Sequence, residues 1–395
     1  MLDTKIYALY LPQYYETNYN NEWWGKGYTE WTACKQAKPL FKGHQQPKLP
    51  LNNHYYDLSK KEEIIWQCDI AKKYGIEGFV IYQYYSCNNS DYGKKNGEHG
   101  SMLLNVPTEI IKDNKEIDID YCLYWANHDW RKAWFGQDET MLWPQIYGNE
   151  QDWKEFYHYN REYFKDERYI KVDNKPVFFI FADWHFKNID LFIDCWNKWA
   201  KEDGFDGIYF VKTDDAHSKK ELGHFDASYR REPFYTFGNK LGPIGLIDRL
   251  LKRKGIPIIN KFFNKFGKGI ISYKYDYEKI WTSICEAEFH KTVIPGAIVQ
   301  WDNTARKGYN GQVVTGASIE IFKKYFKKLI KKCNENDVPF LLFNAWNEWA
   351  EGAYLEPDSI NKYSYLEEIR KTKNFIKETK KTNENKEFKE WQLDN

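Results

Sequence analysis

The chain has almost no net charge. Its 395 residues carry 58 Lys and Arg against 57 Asp and Glu, a formal charge of +1. Without a global field to hold a polyanion, a general nucleic-acid binder is disfavoured. Cysteine is sparse. The seven, at 34, 68, 87, 122, 195, 285 and 333, are odd in number and form no C-x-x-C pair. That pattern argues against a disulfide framework and a zinc site, and suits reduced thiols in the cytoplasm. His44, His54 and His99 stand apart with no H-x-x-x-H spacing, so neither a metal nor another cofactor is expected. No apolar run approaches the roughly 18 residues of a membrane span. The start, MLDTKIYALYLPQYY, lacks a basic segment followed by an apolar one, so no signal peptide is expected. No G-x-G-x-x-G or G-x-x-x-x-G-K-S/T follows a strand, and no G-x-S-x-G elbow occurs. The usual nucleotide-binding and serine-hydrolase signatures are therefore missing.

Aromatic residues are abundant instead: 17 Trp, 31 Tyr and 25 Phe, or 18% of the chain. Mean hydropathy is nevertheless −0.79. Many rings thus stand among polar residues, as in NEWWGKGYTEW (21–31). Rings beside hydrogen-bonding groups suit polyhydroxylated ligands, because sugar C–H faces stack on them.

Short apolar runs alternate with helical patterns. Strands are expected at 5–11, 78–85, 118–126, 175–182, 206–212, 225–231, 296–301 and 339–349. Between the first two, Ser59 and Glu62 predict a capping box, Ile64, Ile65, Cys68 and Ala71 a buried face, and Gly75 the helix end. Residues 188–203 place Ile189, Phe192, Ile193, Trp196 and Trp199 at helical spacing, and 317–333 do the same with Ile321, Phe322, Tyr325, Phe326, Leu329 and Ile330. Eight near-continuous apolar strands alternating with helices predict an α/β fold, a (β/α)8 TIM-type barrel with long loops after strands 1 and 6. Residues 1–360 read as a single catalytic domain with insertions at 12–59 and 232–275. Residues 361–395 read as an exposed charged helix and tail. Within the second insertion, Arg249 to Lys274 hold eight basic residues and no acidic one, interleaved with Ile and Phe. Such a stretch suits a lid, or contact with a membrane surface or lipid-linked glycan at the inner membrane face.

A barrel of this kind carries its site at the C-terminal strand ends. Those ends offer Tyr10 and Gln13, then Tyr84, then Trp125, Asn127, His128, Asp129 and Trp130. Trp301, Asp302, Asn303 and Arg306 follow the seventh strand. Asn344, Trp346, Asn347, Trp349 and Glu356 lie at and beyond the eighth. The first long loop adds Trp23, Trp24, Glu30, Trp31 and His44. The sharpest element is N-E-W-A-E-G, Asn347 to Gly352. Glu348 and Glu351 share one side if the chain turns helically there. A close carboxylate pair can split its pKa values, one group serving as base and the other as acid, as glycoside chemistry requires. A Glu favoured by a helix N-terminus is the structural alternative.

YLPQYY, NEWWGKGYTEWT, AKPLFKGHQQP, YGIEGFVIYQYY, KVDNKPVFFIF, WDNTAR and FNAWNEWAEGAYLEPD, in order from Ile6 to Asp358, resemble the WbsX-like family, also described as having a glycoside hydrolase family 99-like domain. The resemblance implies a (β/α)8 barrel and a role in bacterial surface polysaccharide (O-antigen or capsule) metabolism. It implies cleavage or transfer of α-mannoside-like units with retention, through a 1,2-anhydro sugar. Carried over, Glu348 would take the sugar 2-OH proton and Glu351 would protonate the leaving oxygen. His128 stands where relatives commonly carry Glu, and Ala305 where they often carry Pro. The implied partner is an oligosaccharide or polysaccharide. Two other readings stay open: a glycosyltransferase with a nucleotide- or lipid-linked donor, for which Asp214-Asp215 is a poor metal-diphosphate motif, and an inactive glycan-binding barrel.

Overall fold

The computed structural model describes residues 3–87, 102–132, 140–215, 221–239, 258, 260, 269–271 and 273–393. Nine parallel strands form a nearly closed barrel. They are β1 (Lys5–Tyr10), β2 (Gly78–Tyr85), β3 (Asp120–Trp125), β4 (Lys175–Ile180), β5 (Tyr209–Asp214), β6 (Ala227–Arg230), β7 (Val293–Ile294), β8 (Gly296–Ile298) and β9 (Phe340–Asn344). In space the order is β7-β6-β5-β4-β3-β2-β1-β9-β8. All eight expected strands form, and the seventh, expected at 296–301, instead begins at Val293, is split at Pro295 and ends at Ile298. Its first part pairs with β6 and its second with β9, so the ring closes through the covalent chain. Proline has no N–H for a ladder, which accounts for a break there. The eighth strand ends earlier than expected. After Asn344 the chain forms a small hairpin, Asn347–Glu348 against Ala353–Tyr354.

β2 is buried along its whole length, as a strand covered on both faces must be. Rings fill the barrel in contact across strands: Tyr82 stacks on Tyr124, Tyr124 meets Phe179, and Phe179 meets Tyr229 and Phe340. The helix Ile189–Glu202 buries Ile189, Phe192, Ile193, Trp196 and Trp199, the five residues its spacing selected. Each such side chain contributes roughly 1.5–3 kcal/mol of burial. The helix Ile319–Glu335 buries Phe322, Tyr325, Phe326, Leu329 and Ile330, with Ser318 capping it, while Ile321 is only half-buried.

Several local expectations are corrected. Ser59 and Glu62 form no capping box. The helix Lys61–Lys73 starts after Lys60, and the Ser59 hydroxyl donates to Asp57 instead. In the same helix Ile65 is half-buried, while the polar Gln67 is fully buried. Among the described residues no helix lies between β5 and β6. The final helix, Ser364–Leu393, is not exposed throughout, since Tyr365, Leu366 and Ile369 are buried. Of the basic stretch 249–274, all but Ile258, Asn260, Gly269–Ile271, Tyr273 and Lys274 lies outside the described residues. No described helix is long and apolar enough to cross a membrane.

Candidate active site

The tight turn inside the hairpin that follows β9 sets the carboxylate pair. Trp349–Glu351 is a single 3-10 turn with Glu348 as its N-cap, and both carboxylates reach Arg306. Gly352 closes the turn with φ +57, and a Cβ there would meet the Asp302 backbone N at 3.0 Å. Only glycine fits both demands without strain.

Arg306 joins this pair to a third carboxylate from far away in sequence. Its Nη1 donates to Glu351 at 2.8 Å, its Nη2 to Glu348 at 3.2 Å, and its Nε to Glu30 at 2.8 Å. Glu30 opens the helix Glu30–Gln36 in the first long loop and is fully buried. Exposure is graded across the cluster: the Glu351 side chain is 22% exposed, Glu348 only 8%. Burial raises the pKa of Glu348 to about 8. The charge of Glu351 adds to that rise, and Arg306 opposes it. Burial likewise raises Glu30, against the pull of Arg306. Burial therefore favours the protonated form of Glu348.

A wall of rings flanks the carboxylates. Tyr84 meets Trp130 edge-on at 5.0 Å, Trp130 meets Trp23 at 5.5 Å, and Trp23 meets Tyr19 at 5.3 Å. The charges of Glu348, Glu30 and Glu351 all act on Tyr84. Trp24 packs beside Tyr28 in the same loop. His128 sits edge-on to Phe181 at 4.9 Å, and burial lowers its pKa to about 4, so it is a neutral imidazole.

Many of the expected ligand groups hold backbone instead. The Asn347 amide donates to Leu11 O at 2.9 Å and accepts from Leu11 N at 2.7 Å. Asn127 does the same with Ala182, at 2.9 and 2.7 Å. Asn344 donates to Glu232 O, and Asn303 accepts from Gln312 N. Strand ends have backbone groups with no ladder partner, and a short amide satisfies both a donor and an acceptor. Asn347→Asp sets a carboxylate oxygen against the Leu11 carbonyl. A loss of roughly 1–3 kcal/mol is expected in urea unfolding, and an unchanged midpoint would show that the pairing is dispensable.

Other candidates face away from the carboxylates or are saturated. The Tyr10 hydroxyl donates to Gln67 on the outer helix Lys61–Lys73. Trp125 donates to Tyr85 O and packs on Phe156 and Phe192, among the outer helices. Trp346 packs on Phe79, the neighbour of Tyr10. Asp302 is clamped by His44 at 2.8 Å, Gln46 at 2.7 Å and the Thr304 hydroxyl at 2.6 Å. Its backbone N donates to Glu351 O at 2.7 Å, so this clamp holds the turn that carries the pair. Glu356 accepts from Tyr56, Gln67 and Trp349, and Trp349 stacks on Tyr354 at 3.8 Å. Trp31 donates to Tyr56 O, and Trp301 is buried behind Phe234. Asp129 accepts from Gln145 N and Arg131. Gln13 is buried, and its carbonyl accepts from Glu30 N. Among the described residues no group of His, Cys, Asp and Glu could hold a metal. Gln46, Tyr28, Phe181, Phe234 and Arg231 also lie among these groups, without a motif in the sequence to mark them. Arg231 was within reach, since it follows the inward Tyr229 by two residues at a strand end.

The family model described as Glycosyltransferase WbsX matches residues 6–369. The chain belongs to the WbsX family. Two sequences from Xanthomonas campestris pv. campestris, each called uncharacterized protein WxcX, are 27% identical over 375 residues. The match takes in 93% of this chain and 49% of each relative, so the chain spans about half the length of those curated relatives. Among solved structures, the GH99 endo-α-mannosidase from Bacteroides thetaiotaomicron superposes with a TM-score of 0.52 at 15% identity. The match covers 97% of this chain and all of that one. A glycoside hydrolase-like protein gives a TM-score of 0.53 at 12% identity, over 94% of both chains. The WbsX chain thus has the barrel of the family 99 glycosidases.

Proposed function

We propose that this protein cleaves or transfers an α-linked, mannoside-like glycosyl unit with retention, aided by the sugar 2-OH. The observation that carries this reading is the Glu348–Glu351 pair, gathered with Glu30 on Arg306 at the strand ends of a glycosidase-type barrel beside a wall of rings. Glu348 accepts the 2-OH proton as that oxygen attacks the anomeric carbon, and Glu351, the more exposed, protonates the departing oxygen. Burial by itself opposes the ionised form of Glu348 that this step needs. A sugar hydroxyl donating to Glu348 favours its ionised form. Sugars stack on Tyr84, Trp130 and Trp23.

The pair works with one proton in total. That proton is lost as pH rises through the raised value of Glu348, about 8. The alkaline limb of kcat/KM on an aryl α-mannoside is therefore expected near pH 8, far above an ordinary carboxylate. A limb below pH 6 would contradict the assignment.

The family description itself favours a second reading, transfer from an activated donor. The basic stretch 249–274 is where a transferase of this kind would meet a lipid-linked glycan. Incubation with aryl α-mannosides and with a panel of nucleotide sugars, followed by mass spectrometry, separates the two. Release of free sugar from the glycosides supports the first reading. Transfer from a nucleotide sugar without hydrolysis of the glycosides overturns it.

A further inference from the structure

The site holds a second arginine that the carboxylate cluster does not use. Arg231 directly follows β6, two residues beyond Tyr229, whose ring lies among the inward rings of the barrel. Strand alternation places both on the same face. Its guanidinium lies 4.7 Å from the Phe181 ring centre and 4.1 Å from that of Phe234. Among the described residues it makes no side-chain hydrogen bond and no ion pair, and its Nε is buried without a partner. Glu351 and Asp215 act on it electrostatically, yet neither forms an ion pair with it. His128, beside the same Phe181, is neutral and supplies no counter-charge.

Two aromatic rings flank the guanidinium and bury its Nε, while the residue as a whole is half-buried and its outer N–H groups are left to find an acceptor. A partly buried guanidinium held between two rings is built to meet an oxyanion with paired hydrogen bonds. Arg306 cannot serve this purpose, since three carboxylates already engage it.

We propose that Arg231 is a specificity residue that binds an anionic oxygen group on the glycan, either a uronic acid carboxylate or a sugar phosphate. This rests on the glycan reading above and deepens it by naming the charge class of the substrate. The placement of Arg231 at the same mouth as Glu351 sets that group on the reacting sugar or its immediate neighbour.

The test is binding to the full chain, followed by tryptophan fluorescence, and needs no turnover. The probes are methyl α-mannoside, methyl α-mannosiduronate and mannose 1-phosphate. At least one anionic probe is expected to bind ten-fold or more tightly than the neutral one, with an affinity that falls as salt rises. In Arg231→Gln that ratio should collapse to within about two-fold, and Arg231→Lys should keep an intermediate preference. A preference for the uronate alone identifies a carboxylate, and one for the phosphate alone a phosphate. Equal binding of all three probes by the wild-type chain overturns the proposal, as does an anion preference that survives in Arg231→Gln. If Arg231→Gln fails to fold, Arg231→Lys decides: an unaltered ratio overturns the proposal and a reduced one supports it. Failure of the glycosidase reading would show separately, as an anion preference without turnover of any α-glycoside.

Discussion

Glu351→Gln is expected to abolish turnover of an α-glycoside with a poor leaving group, by at least about 1000-fold in kcat, while affinity changes less than about ten-fold. The variant keeps a group of the same shape but has no proton to give the leaving oxygen. An aryl glycoside with an excellent leaving group needs that proton less, so the same variant should recover much of its rate there. Glu348→Gln should show no such recovery, because the attacking 2-OH still needs a base. The contrast between the two substrates is the informative readout, since a merely structural defect would depress both alike. Undiminished rates in both variants would sink the assignment. Retained glycan binding with no turnover in the wild-type chain would point to an inert binding barrel.

The second large effect is expected at Arg306. Arg306→Met leaves Glu30, Glu348 and Glu351 facing one another with no cation bonded to them. Removing one partner from a buried ion-pair set costs roughly 3–5 kcal/mol. The loss should depend on pH in a definite direction. Burial already raises Glu30 and Glu348, and loss of Arg306 raises both further. Between the ordinary carboxylate value and those raised values, the folded chain binds more protons than the unfolded one. Stability therefore falls as pH rises through that window. Urea unfolding should show a modest deficit near pH 5 that grows towards pH 8. A deficit independent of pH would place the role of Arg306 in packing rather than charge. Adding Glu30→Gln to Arg306→Met should restore part of the stability at pH 8, because it removes one of the uncompensated carboxylates.

The barrel was legible because its signals are local. β2, GFVIYQYY, reads as a buried strand from eight residues, and Ile189–Glu202 reads as amphipathic from its own spacing. The split at Pro295 was less legible, since it depends on how two neighbouring strands share one segment. At the site, Glu348 and Glu351 stood out by their spacing, and Glu30 and Arg306 by the company they keep. Their meeting did not, because 276 residues separate Arg306 from Glu30. Asn127 and Asn347 were read as ligands for sugar hydroxyls, yet each completes the backbone of a neighbouring segment. An amide beside a ring looks the same in a sequence whether it faces a ligand or a peptide.

The aromatic excess divides in the same way. Trp23, Trp130 and Tyr84 line the wall beside the carboxylates, whereas Trp125, Trp346 and Trp349 pack among helices and loops. By itself the sequence determined the strands, the helix faces and the carboxylate pair. Periodicity and short-range turns encode all three within a few residues. Only the tertiary structure decided which polar groups are taken up by backbone, how far burial raises the pKa of Glu348, and which arginine is committed to carboxylates. Those properties depend on desolvation and on charges brought in from distant segments, and neither exists until the barrel has closed.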